Sequence, residues 1–141
     1  MRTMTTEEAY AFLEAGTRTG KVASTKADGR AHVTPVWFVV DGDDLVFMTW
    51  HESAKAKHFR RDPRASLLVD LEEPPFAYVL AEGTVTISED LDDLRRYATQ
   101  IGGRYMGEDR ADEYGARNGV AGELLIRLTP ERLIALDDIA G

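Results

Sequence analysis

Residues 30–64, RAHVTPVWFVVDGDDLVFMTWHESAKAKHFRRDPR, hold two strands, the turn between them and a basic segment in one run. Residues 31–41 are mostly β-branched and aromatic, which predicts an extended strand with Pro35 inside it. A proline has no N–H to give a neighbouring strand, so this position reads as an edge or a bulge. Asp41-Gly42-Asp43-Asp44 is a tight acidic turn, and residues 45–50 form the strand that returns from it. From Ser53 the chain turns basic, with Ser53 as N-cap of a helix that Asp62-Pro63 ends. Strand, turn, strand and helix start together suggest one wall of a pocket for a flat, anionic ligand.

The flanking sequence supplies more hairpins. On the N-terminal side, Thr5 and Thr6 followed by Glu7 and Glu8 predict a capped amphipathic helix over 6–15, ended by Gly16. Residues 20–26 follow as a strand, with Asp28-Gly29 as the next tight turn. On the C-terminal side, residues 65–70 read as an apolar strand and Glu72-Glu73-Pro74-Pro75 as a loop. Residues 76–88 read as a long strand with a bulge or bend at Gly83. Leu91, Leu94, Tyr97, Ala98 and Ile101 keep helical spacing, with Asp90 as cap and Gly102-Gly103 as the stop. A short polar helix is expected over 108–118. A strand over 123–128 then turns at Thr129-Pro130-Glu131-Arg132 into residues 133–136. Six or seven short strands joined by hairpins, with helices at the margins, predict a mainly β protein, an antiparallel barrel in one domain over 1–141.

Charge narrows the function. The 141 residues carry a net charge of −8, which argues against a sequence-blind nucleic-acid binder. Lys55, Lys57, Arg60, Arg61 and Arg64 stand against Asp62 alone, a local +4 inside a remainder of −12. Such an island suits one specific anionic partner. There is no cysteine, so disulfides, thiolate metal sites and cysteine nucleophiles are excluded. No apolar run approaches the ~20 residues of a membrane span, and the glutamates near the N-terminus break any signal-peptide pattern. A cytoplasmic protein with no membrane partner is the expectation. His32, His51 and His58 lack the helix-spaced acid partners of a metal site, so no metal is expected.

The Asp28-Gly29 hairpin, HVTPVWF at 32–38, the Asp-Gly-Asp turn, SAKAKHFRRDPR at 53–64 and Tyr78-Val79 followed by Glu82-Gly83 form a specific combination. Arg104-Tyr105-Met106-Gly107 adds an R-Y-x-G motif. Over roughly residues 5–135 the chain resembles the pyridoxamine-phosphate-oxidase-like split β-barrel superfamily, and within it the branch of F420-dependent (deazaflavin-dependent) reductases found largely in actinobacteria. The resemblance implies a homodimer of split barrels with two cofactor sites in the interface and a small-molecule substrate. It also implies an oxidoreductase that transfers a hydride from reduced coenzyme F420 to an activated C=C or C=N bond. One departure is Trp50-His51-Glu52, where relatives often carry small or basic residues.

On this resemblance Pro35, Val36 and Trp37 lie along the cofactor ring, with backbone groups free to bond its pyrimidine edge. Lys55 and Lys57 are candidates for the phosphate, and Thr49 and Ser53 are hydroxyls near these cations. Two residues apart on a helix differ by about 200°, so both lysines reach one anion only at the helix start. Lys57 is preferred because it shares a face with Ser53. No nucleophilic triad or carboxylate pair stands out, so no catalytic side chain is assigned; the cofactor carries the chemistry and solvent can supply the proton. Two alternatives stay open: an FMN-dependent oxidoreductase of the same fold, and a non-catalytic binder of a flavin-type ligand or haem.

Overall fold

Local turn and cap chemistry divides the chain into short strands and marginal helices. A computed structural model describes all of residues 1–141. The elements are β1 (Arg2–Thr3), α1 (Thr6–Glu14), β2 (Gly20–Thr25), β3 (Ala31–Val36), β4 (Phe38–Asp41), β5 (Asp44–Trp50), α2 (Ala54–Arg61), β6 (Arg64–Leu71), β7 (Ala77–Ser88), α3 (Leu91–Met106), α4 (Ala111–Asn118) and β8 (Glu123–Asp137). A single 3-10 turn, Glu108–Arg110, joins α3 to α4. Thr5 and Glu8 form a reciprocal capping box at α1, and the Ser53 and Asp90 side chains cap α2 and α3.

Seven strands form one antiparallel path, β3-β2-β6-β7-β8-β5-β4, with β1 added on β8. The two ends of the path, β3 and β4, are consecutive in the chain and separated only by Trp37. The predicted strand over 31–41 is therefore two edge strands, β3 paired to β2 and β4 paired to β5. The chain crosses from one edge of the curled sheet to the other in one residue, which makes the barrel a split one. Pro35 is tolerated because β3 has a partner on one side only.

Alternation along the strands fills the barrel. Val22, Phe38, Phe47, Leu67, Val79, Ile126 and Leu128 point inward and are almost fully buried. Ala9 and Leu13 of α1, and Ala56 and Phe59 of α2, join the same core. The outer face of the sheet is covered on one half only. On β5 and β8, Val46 and Leu125 are covered by Leu94 and Tyr97 of α3. There Tyr97 donates to Asp41 at 2.5 Å, and Arg127 reaches both Asp41 (2.9 Å) and Asp44 (3.1 Å). On the other half, cross-strand rows such as Pro35, Lys21, Leu68, Leu80 and Ile134 face outward and remain partly or fully exposed. Val33, in the next row, is 59% exposed.

Two expectations are corrected. The Gly102-Gly103 pair does not stop α3, which runs on to Met106. A Cβ on Gly102 would lie 2.3 Å from the Cβ of Tyr114, so this glycine admits α4 against α3. Likewise, Thr129–Arg132 is no turn: β8 is continuous over 15 residues. Its register against β7 shifts between Glu82 and Gly83, where Gly83 faces Pro130. This bulge accommodates a proline without a ladder donor. Gly83 is confined too, since a Cβ there would meet Thr129 O at 2.0 Å.

Candidate functional site

At the split, backbone groups that no neighbouring strand can satisfy are taken up by the end of α3. The Phe38 N–H donates to Tyr105 Oη at 3.3 Å, and that hydroxyl donates to the Arg18 carbonyl at 3.0 Å. Arg104 donates to three carbonyls: Phe38 at 2.6 Å, Leu13 at 2.8 Å and Gly16 at 3.0 Å. Its guanidinium lies 4.7 Å from the Phe38 ring centre. Trp37 stacks on Tyr105 with ring centres 5.2 Å apart and planes 4° from parallel. The R-Y-x-G motif is thus the clamp that holds the split in shape.

Beside the clamp lies a cavity of about 350 Å³. Pro35, Val36 and Trp37 form one wall, and Met48, Thr49 and Trp50 of β5 another. Lys55, from the first turn of α2, enters it as the single cation. Ala98 and Ile101 of α3, Asn118 at the end of α4 and Glu123 at the start of β8 complete the lining. The size and the mixed lining, six apolar side chains among eleven, suit a ring system held by polar groups at its edge.

Lys55 makes no ion pair or hydrogen bond, and burial pulls its pKa below the ordinary lysine value. A half-buried cation without a protein partner favours an anionic ligand. Thr49 Oγ1 and Ser53 Oγ share a hydrogen bond of 2.7 Å, while Ser53 Oγ accepts the Ala56 N–H at 3.2 Å. Both hydroxyls therefore fix the start of α2, and so the base of Lys55. At the mouth, Trp50 is 45% exposed and lies against Gly122, where a Cβ would be 2.4 Å from the indole. The His51 N–H donates to Gly122 O at 2.8 Å, with Nδ1 at 2.9 Å from the same oxygen.

A family model described as pyridoxamine 5'-phosphate oxidase matches residues 5–137. The chain belongs to the pyridoxamine 5'-phosphate oxidase family. Among solved structures, a conserved hypothetical protein from Mycobacterium tuberculosis is 26% identical, with a TM-score of 0.85 over 96% of this chain and 86% of that one. An F420 reductase is 23% identical, with a TM-score of 0.72 over 92% of this chain and 98% of the other. An FAD-binding protein from Mesorhizobium loti is 22% identical, with a TM-score of 0.70 over 95% of each chain. These likenesses support the split barrel of the family as the fold.

Of the residues singled out in the sequence, Pro35, Val36, Trp37, Thr49 and Lys55 line this one cavity of the family fold. Ser53 stands just behind it, bonded to Thr49. Lys57 does not reach it: the helix turns its side chain away, and it is exposed. The face shared with Ser53 favoured Lys57 in the sequence; the cavity instead takes the lysine one residue before the buried Ala56. Sequence reasoning left out Met48, beside Thr49 on β5, and also Ala98, Ile101, Asn118 and Glu123, which reach the site from distant parts of the chain. Only the apolar spacing of α3 gave any signal for them, and it reads equally as core.

Proposed function

We propose that the cavity binds the ring system of coenzyme F420 and that the protein is an F420-dependent reductase. The observation that carries this is Lys55: an unpaired, partly desolvated cation, the single one in a cavity of mixed polar and apolar lining beside a split strand. The residues fit such a coenzyme. Lys55 and the first-turn amides of α2 would hold its phosphate, helped by the positive end of the helix. Free backbone at Pro35–Trp37 would meet the ring edge, with Trp37 fixed by its stack on Tyr105. When bound, the reduced coenzyme supplies a hydride to an activated C=C or C=N bond. The chain's own residues bind, orient and keep water from one face of the ring. The resemblance of the 32–64 segment to the F420-dependent branch supports this, as does the likeness in fold to an F420 reductase.

The same reading makes the protein a homodimer. The outward rows on β3, β2, β6, β7 and β8 present apolar side chains with no helix over them, and Pro35 belongs both to such a row and to the cavity wall. A second copy on this face would bury Val33, Leu68, Leu80 and Ile134 and close the cavity. Val33→Glu is expected to convert the protein from dimer to monomer in sedimentation velocity and to weaken coenzyme binding with it. A monomeric wild-type protein would contradict the dimer.

Turnover tests the function. Reduced coenzyme F420 with cyclohex-2-en-1-one should yield the saturated ketone and oxidised coenzyme only when the protein is present. No rate above the protein-free control would contradict the reading, and the same reaction with reduced FMN alone would favour a flavin enzyme of this fold.

A further inference from the structure

Only two titratable side chains line the cavity, Lys55 and Glu123. Resting on the hydride-transfer reading above, we propose that Glu123 is the proton donor of this site. Addition of hydride to one carbon of an activated C=C bond forms a C–H bond there and pushes the π electron pair towards the activating group. The carbon left as an enolate must then take a proton. The Glu123 carboxyl gives that proton up, becomes a carboxylate and regains a proton from water at the mouth. The substrate gains two electrons and two hydrogens, and the deazaflavin, a two-electron hydride donor, is oxidised.

Three features carry this assignment. First, the other polar groups are unsuited: Thr49 is bonded to Ser53, Asn118 has no ionisable proton, and Lys55 is the anion anchor. Second, the Glu123 side chain has no hydrogen-bond or ion-pair partner in the protein, so its proton is not committed elsewhere. Its backbone is nonetheless fixed, in register opposite Trp50 and with its N–H on Val120 O at 3.2 Å. A free carboxyl on a rigid strand start is a positioned acid.

Third, its surroundings favour the protonated form. Burial pushes the Glu123 carboxyl above the ordinary glutamate value, and His51 opposes this only in part. His51, from the turn after β5, is near enough to act on its charge, and the cavity that Glu123 borders is shared with Lys55 from α2, Ala98 and Ile101 from α3, and Asn118 from α4. His51 is engaged with Gly122 O and lies 3.6 Å from Glu52. A carboxyl whose midpoint is raised by burial holds its proton to higher pH than an exposed one, as a general acid must.

Two measurements test the proposal. In the protein alone, the Glu123 carboxyl 13C resonance should titrate above the ordinary midpoint of ~4.3. In the coenzyme-loaded protein, Glu123→Gln should lower kcat for cyclohexenone reduction by about 100-fold, with KM and coenzyme Kd within about threefold. Wild-type activity should fall as pH rises through the Glu123 midpoint; Glu123→Gln should lack that fall, and Glu123→Asp should restore part of the rate. Because ionising a buried carboxyl costs stability above its unfolded pKa, Glu123→Gln should melt no lower than wild type at pH 7. An ordinary or lower midpoint, or a Gln variant with kcat within threefold of wild type, overturns the assignment. Failure of wild-type protein to bind the coenzyme or reduce the ketone overturns the underlying reading and this role together. A normal wild-type enzyme with an unaffected variant overturns the role alone.

Discussion

Lys55→Ala is expected to weaken binding of coenzyme F420 by roughly 10- to 100-fold, while Lys57→Ala leaves it within about twofold. A charge-assisted hydrogen bond to a ligand anion in a partly desolvated site contributes about 1.5–3 kcal/mol. Lys55 has the position for it, inside the cavity and at the start of α2. Lys57 has only exposed solvent around it, where salt and water screen its charge. The Lys55 variant should also lose part of the salt dependence of binding. Its folding stability should stay close to wild type or rise, because burial in the folded state already disfavours the lysine charge and no partner repays it. Equilibrium titrations of the two variants at low and high ionic strength, with thermal melts alongside, check all of this. Equal losses in both variants would remove the cavity as the anion site.

A second large effect is expected far from the ligand. Arg104→Met should destabilise the protein by on the order of 3 kcal/mol, lowering Tm by roughly 10 °C. The methionine keeps much of the aliphatic stem but strips donors from three carbonyls, those of Leu13, Gly16 and Phe38. These carbonyls sit where α1 ends and where β4 leaves the split, so no ladder partner can replace the guanidinium. Tyr105→Phe should cost less, about 1 kcal/mol, since it removes one hydroxyl that serves the Phe38 N–H and the Arg18 carbonyl. Urea unfolding of the three proteins orders these effects. An Arg104 variant as stable as wild type would mean that the clamp is ornamental.

Why the clamp and much of the site stay hidden in the sequence follows from range. Hairpins and caps depend on a few adjacent residues, and Gly29, Gly42, Thr5, Ser53 and Asp90 fill the roles expected of them. Gly102 and Pro130 mislead because their local signals, a helix stop and a turn, are overruled by partners elsewhere: Tyr114 against the glycine, and Gly83 across from the proline. The break at Trp37 is also set by distant contacts, with Tyr105 and Arg104 taking up the groups that a continuous strand would pair. For the same reason the cavity was half visible. Its near wall is a contiguous stretch, from Pro35 to Lys55, with a proline and cations to mark it. Its far wall comes from α3, α4 and β8, whose residues carry only the pattern of an amphipathic helix and a strand start. Glu123 in particular is one acid among 25 Asp and Glu residues until the fold sets it opposite Trp50.

The most direct test of the account is a side-by-side equilibrium titration of the purified protein with coenzyme F420 and with FMN at two ionic strengths. Binding of F420 that is tighter than that of FMN and weakens as salt rises is the predicted result. FMN binding more tightly, or neither ligand binding at all, would contradict it.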